Sequence, residues 1–223
     1  MKNIEIFENE RASNYDGFVS IWIPGYDYFL NQFPKILPHF DPKSILVAGC
    51  GTGNEIIEMI KSGKGWEITG IDPSPEMISQ AKGKLQSNPN VQLLEGEVSD
   101  LPDSEQFDTA TLFLVLHFLK DDGGKLNLLK EIGRRMKTGS PIFLLDITGS
   151  KSMIRKNLKL LKYHLPIELD KEIIQKRLER IENDLHYVTE KRLKKLLELA
   201  GFKNPTRFYQ STIYQGWVAL KSS

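Results

Sequence analysis

The stretch ILVAGCGTGNE, Ile45 to Glu55, decides how the rest of the chain is read. Four apolar residues run into three glycines at alternating positions, Gly49, Gly51 and Gly53, and then into a polar turn. Beyond it, Ile56, Ile57 and Ile60 recur at helical spacing. A short apolar run, glycines and an amphipathic segment make a strand, a tight corner and a helix. Gly49 and Gly51 let the backbone turn sharply and approach a ligand, and Asn54 is placed to cap the helix.

The same alternation extends outward from this corner. Ser44–Ala48, Glu67–Ile71, Val91–Leu94, Phe107–Leu116 and Pro141–Ile147 read as strands. Between them Gly53–Lys61, Pro75–Leu85 and Leu126–Met136 read as helices, the second opening at Ser74 with Pro75 in its first turn. Strands alternating with helices build right-handed β-α-β units and a parallel sheet. The almost unbroken apolar runs TLFLVL and FLLDI suit a sheet covered on both faces. Near the end, Phe208–Thr212 and Gly216–Leu220 read as an antiparallel hairpin.

The expected fold is therefore α/β, Rossmann-like and doubly wound, with a helical lid. We read residues 1–223 as a single domain: a lid over 1–40 around FVSIWIPGYDYFL, a core over 41–150, a helical insertion over 151–200 split by Pro166, and the hairpin over 201–223.

Thirty basic side chains against 29 acidic ones leave a charge of +1, so the overall field makes no case for a polyanionic partner. Residues 151–203 hold 14 Lys and Arg against 8 Asp and Glu. That excess reads either as solvated helix faces with i,i+4 pairs or as a surface for an anionic substrate or RNA. The lone cysteine, Cys50, excludes an internal disulfide and points to a reducing cytoplasm. MKNIEIFENER lacks the basic-then-apolar pattern of a secretory signal. The longest apolar run, Leu112 to Leu119, is interrupted by His117 and is short of the ~20 residues a membrane span needs. The expectation is a soluble cytoplasmic protein with no metal site and no membrane partner.

In a doubly wound sheet, ligands bind where the first strand ends. A dinucleotide fingerprint needs a glycine three places after Gly51, and Asn54 stands there. Glu55 in the first helical turn would repel a pyrophosphate, and no Gly-Lys-Ser/Thr follows to make a phosphate loop. A cofactor without phosphate avoids the conflict. Twenty-one residues past Gly51, the second strand ends in Asp72, followed by Pro73. That carboxylate is placed to accept from two ribose hydroxyls, the alternative being a helix-initiating turn. At the tip of the third strand EGEVSDLP offers Glu97 or Asp100 to an adenine amino group. His117, just beyond the fourth strand, reads as a satisfied core histidine or as a base.

Five pieces in this order, VAGCGTG, GIDPSPEMI, GEVSDLP, DTATLFLVLHFL and LLKEIGRRMKTGSPIFLLD, resemble the class I S-adenosylmethionine-dependent methyltransferases. The resemblance implies a seven-stranded, mostly parallel sheet with an antiparallel C-terminal strand. It implies S-adenosylmethionine as cofactor and S-adenosylhomocysteine as product. Gly49, Cys50 and Gly51 would then line the methionine part, Asp72 with Pro73 the ribose, and Glu97 with Val98 the adenine. The family often carries an acid two places before the first glycine; here that place is Val47, so the amino group is anchored elsewhere, through Glu55 or backbone carbonyls. Methyl transfer is an in-line displacement that needs alignment more than a dedicated base, and no catalytic residue is named.

IPGYDYFL, QKRLERIEND and HYVTEKRLKKLLELAGFKNPTRFYQSTIYQGWVALK are similar to the carboxy-S-adenosylmethionine synthases and their methyltransferase relatives of tRNA wobble-uridine modification. That likeness implies that Tyr26 touches the cofactor and that Arg177 pairs, across a homodimer interface, with a carboxylate on the sulfonium. The family's Asn on the fourth strand falls on Phe113. The lid aromatics Trp22, Tyr26, Tyr28 and Phe29 read as walls of an acceptor pocket or as core. The acceptor is a small molecule or a nucleoside. Outside this class stand a nicotinamide-cofactor dehydrogenase and a non-catalytic partner subunit that has lost the cofactor.

Overall fold

The computed structural model describes residues 6–86 and 88–223; the first five residues of the expected lid lie outside them. Helices α1 (Glu10–Ser13), α2 (Tyr15–Trp22) and α3 (Tyr26–Gln32) open the chain, followed by two 3-10 turns. The alternating part follows as β1 (Ser44–Ala48), α4 (Asn54–Lys61), β2 (Glu67–Asp72), α5 (Pro75–Leu85), β3 (Val91–Glu95), β4 (Thr109–Phe113), α6 (Gly124–Arg134) and β5 (Pro141–Ile147). Then come α7 (Lys151–Leu161), α8 (Lys171–Asn183), α9 (Glu190–Leu199), β6 (Phe202–Ser211) and β7 (Tyr214–Lys221).

The strands form a seven-stranded sheet in the order β3-β2-β1-β4-β5-β7-β6. β1 to β5 pair in parallel, β7 runs antiparallel to β5, and β6 antiparallel to β7. The order reverses at β1, whose neighbours are β2 and β4, so the crevice falls at the corner after β1.

Alternation along the strands divides the core into two layers. Ile45 and Val47 of β1 and Phe143, Leu145 and Ile147 of β5 pack with α4, α5, α7 and the lid helices. Leu46, Ala48, Ile142 and Leu144 point the other way, against Leu129 and Ile132 of α6 and Leu193, Leu196 and Leu197 of α9. The 151–200 region is therefore not one appended unit: α7 covers one face of the sheet and α9 the other.

Besides shifts of one or two residues at other ends, three features differ from the sequence reading. β4 stops at Phe113 because Leu114 turns into the left-handed region at φ 60°, and the chain enters a 3-10 turn at Leu116–Phe118. α4 is preceded by Gly53 at φ 81°, not capped by Asn54, whose amide donates instead to Asp16. The terminal hairpin is longer than expected; exposed Lys203 and Arg207 hide β6 from an apolar-pattern search, and two register shifts interrupt its pairing.

Candidate functional site

The corner after β1 is pinned to the tip of β2. The N–H groups of Gly49 and Cys50 both donate to the Ile71 carbonyl, at 2.8 and 3.1 Å. One residue on, the Asp72 carboxylate accepts from Gly51 N at 2.9 Å and from Ser74 N at 2.9 Å. Asp72 is thus turned toward the glycine corner and also braces the turn that leads into α5. Ser74 precedes α5 as expected, but its hydroxyl makes no cap; it accepts from Phe7 N. Burial raises the Asp72 pKa, opposed by the hydrogen bonds from Ser74 and Gly51.

Two cavities meet at Gly49. The larger, about 1030 Å³, is lined by Gly49, Ile71, Pro73, Glu97 and Val98 and continues past Val115 to Gly123 and His186. The smaller, about 20 Å³, is lined by Tyr15, Tyr26, Gly49, Cys50, Gly51, Thr52, Asn54, Glu55, Phe113 and Leu114. It has room for about one water. Asp72 lines neither, but its neighbours Ile71 and Pro73 line the larger and its partner Gly51 lines the smaller.

Glycine at 49 is dictated by both backbone and space. Its φ is 71°, and a Cβ there would stand 2.4 Å from Val115 Cγ2. Gly49→Ala should therefore cost stability by more than the ~1 kcal/mol of a left-handed alanine. Thermal denaturation checks this: the midpoint is expected several degrees lower, whereas Gly83→Ala, in open space on helix α5, should raise it slightly.

The lid closes the small cavity. The Tyr15 ring lies 3.9 Å from where a Cβ on Gly51 would stand. Next to it, Asp16 accepts from Thr52 Oγ1 at 2.6 Å and Asn54 Nδ2 at 2.9 Å and pairs with Lys84, which also donates to Asn54 at 3.0 Å. Burial pushes the Asp16 carboxyl up, but the bonds from Lys84, Thr52 and Asn54 outweigh it and hold its pKa below the ordinary value. This is a latch from α2 to α4 and α5. Asp16→Ala should speed amide exchange over Tyr15–Trp22 about tenfold, as the loss of charge-assisted bonds at a local opening site predicts.

Glu55 is buried in the same cavity, where Thr111 Oγ1 donates to its Oε1. Burial pushes its pKa up to about 8, opposed by that one bond. Cys50 is also buried, its thiol raised by desolvation and then by Asp72 and Glu55, so it is no nucleophile at neutral pH. The tip of β3 is held from behind: buried Arg135 donates to the carbonyls of Ser99 and Leu101, and Asp100 accepts from Glu97 N at 2.7 Å. Glu97 itself caps this turn.

Of the expected site residues, Tyr26, Gly49, Cys50, Gly51, Pro73, Glu97 and Val98 line these cavities, and Asp72 is bonded to the corner without lining either. Arg177 lines neither; its guanidinium stacks on Phe18 of the lid at 4.2 Å. Trp22 and Phe29 are core, and Tyr28 is exposed. His117 is buried with Nδ1 2.9 Å from Asp146 Oδ1 and lines neither cavity. Sequence reasoning missed Tyr15 and Asp16, which lie outside the α/β alternation and carry no motif. Among the described residues, no helix is long and apolar enough to cross a membrane and no His, Cys, Asp and Glu cluster is disposed to hold a metal.

Residues 45–139 match the family described as "Methyltransferase domain". The chain is 30% identical over 161 residues to demethylmenaquinone methyltransferase of Staphylococcus aureus; the match covers 70% of this chain and 66% of the relative, just under two thirds of its length. The fold is similar to that of magnesium protoporphyrin IX methyltransferase from Synechocystis with bound S-adenosylhomocysteine, at TM-score 0.66, 16% identity, 94% of this chain and 95% of that one. It is also similar to human N-acetylserotonin methyltransferase in complex with S-adenosylmethionine, at TM-score 0.60, 21% identity, 94% of this chain and 60% of that one. The chain thus carries a methyltransferase-domain match over residues 45–139 on a fold shared with these cofactor-bound methyltransferase structures.

Proposed function

We propose that this chain is an S-adenosylmethionine-dependent methyltransferase acting on a small organic acceptor. One observation carries the reading: the buried Asp72 carboxylate, bonded by Gly51 N and Ser74 N, stands at the tip of β2 between Ile71 and Pro73, which line the large cavity beside the side-chain-free corner. A ribose presents two adjacent hydroxyls to such a carboxylate. The fit extends to both sides of it. The corner at Gly49–Gly51 offers backbone where a Cβ would crowd the site, and the larger cavity exceeds a nucleoside in volume.

When bound, the cofactor supplies an electrophilic methyl group on a sulfonium. The chain's own part is to bind and align. Asp72 would hold the sugar, Pro73, Glu97 and Val98 would flank the base, and the corner would lie under the amino-acid end. Tyr15 and Tyr26 would exclude water above it. No side chain is assigned as a base, since a nucleophilic acceptor needs none. Because the small cavity now holds about one water, loading the amino-acid end requires the α2 latch to lift.

The relatives named above carry small-molecule acceptors in their names, which supports a small molecule over RNA for this chain. The carboxy-S-adenosylmethionine synthase reading rests on Tyr26, which lines the small cavity, and on Arg177 acting across a dimer interface; the relatives above are named methyltransferases, so it is not the one proposed. The test is calorimetry with S-adenosylhomocysteine, followed by transfer of labelled methyl from S-adenosylmethionine to a panel of small phenols, quinols and nucleosides. We expect micromolar binding and label in a small molecule; a native protein that fails to bind S-adenosylhomocysteine overturns the reading.

A further inference from the structure

The acid that the family often carries on the first strand is replaced here by buried Val47. Val47 is registered against Thr111 on β4, and the Thr111 hydroxyl donates to the carboxyl of Glu55, which arrives from α4. A carboxyl group is thus delivered to the patch of sheet beside residue 47 by a different element. Glu55 lines the small cavity with Gly49, Gly51 and Thr52, and Thr111 is its one hydrogen-bond partner among the described residues.

Among the described residues, the groups around it are not cations. Tyr15 of α2, Tyr26 of α3 and Cys50 of the corner are pushed toward their neutral forms first by burial and further by neighbouring groups that include Glu55. Asp16 of α2 and Asp72 of β2 are acids in the same neighbourhood, both sensed by Tyr15. The nearby base, Lys84, is engaged by Asp16 and Asn54. A buried carboxyl in a cavity with acids, phenols and a thiol, and no cation among the described residues, is a costly arrangement unless something positive enters. The amino-acid end of the cofactor brings an ammonium to this side of the corner.

We propose that Glu55 is the anchor for that ammonium, supplied from α4 in place of an acid on β1. The inference rests on the cofactor reading above. Entry of the ammonium would draw the proton off Glu55, so binding would release a proton near neutral pH.

The test compares two ligands by calorimetry at pH 7 in buffers of different ionisation heat. S-adenosylhomocysteine carries the ammonium; 5′-deoxy-5′-methylthioadenosine has the same nucleoside and no amino-acid end. For the native protein we expect the first to release close to one proton and the second none. Glu55→Gln should weaken S-adenosylhomocysteine about 10–100-fold, abolish its proton release and leave methylthioadenosine binding unchanged, as removal of a charge-assisted bond predicts. Equal weakening of both ligands would make Glu55 a structural residue. Unchanged affinity for S-adenosylhomocysteine, or no proton release from the native protein, would place the anchor elsewhere. Each of these results overturns the proposal while leaving the cofactor reading intact, because methylthioadenosine still binds the native protein. Failure of both ligands to bind the native protein removes the cofactor reading and the anchor with it.

Discussion

Asp72→Ala should lower the affinity for S-adenosylhomocysteine by at least about 100-fold, and the loss should appear with methylthioadenosine as well. Two bonds to ribose hydroxyls from an ionised, buried acceptor are worth roughly 1.5–3 kcal/mol each, and a factor of 100 is ~2.7 kcal/mol. The same substitution strips Gly51 N and Ser74 N of their acceptor, so the free protein should also melt at a lower temperature. Asp72→Asn separates the two effects. Its carbonyl oxygen can keep one backbone bond and so recover part of the stability, but it lacks the charge and the second acceptor for the sugar. Calorimetry and thermal denaturation on both variants check this, and native-like affinity in Asp72→Ala would contradict the ribose role.

This outcome also separates what sequence and structure each contribute. The corner and its acid were legible because both are local: an apolar run, glycines at fixed offsets and a carboxylate at the next strand tip follow from chain geometry. The parallel part of the sheet was legible for the same reason, since strands alternating with helices build β-α-β units. The lid was not. Tyr15 and Asp16 reach the corner through pairings more than 30 residues apart, with Thr52 and Asn54, and with Lys84 beyond them. No periodicity encodes such contacts. The left-handed turn at Leu114 was hidden too, because Leu114 to Leu116 continue the apolar pattern of β4 while the backbone leaves the sheet.

The latch bears on how the site works. Asp16 binds two residues of the corner and first turn, Thr52 and Asn54, and Tyr15 rides beside it over Gly51. Lifting α2 would therefore open the small cavity and free the donors of Thr52 and Asn54 together. Closure would restore them and shut out water, so cover and alignment come from one motion.

Glu55→Gln should abolish a pH dependence of stability that the native protein shows without any ligand. The Glu55 carboxyl has a pKa of 4.5 as an exposed group and about 8 in the folded chain, because burial outweighs its one bond from Thr111. Below 4.5 the group is neutral whether the chain is folded or not, and it contributes no penalty. As pH rises from 4.5 toward 8 the unfolded chain holds its carboxylate in water while the folded chain keeps the proton, so stability falls; above 8 the loss is complete. Each pH unit in that window is worth about 1.4 kcal/mol, giving a loss on the order of 4 kcal/mol for this one group. Glutamine has the same shape, still accepts from Thr111 and does not titrate. The native-minus-variant difference in unfolding free energy, measured by denaturant at pH 5, 6, 7 and 8, isolates the effect from every other titrating group. It should decline steadily across the series for the native chain relative to the variant; a flat difference would mean that Glu55 is ionised in the folded protein and already has a cationic or solvated partner.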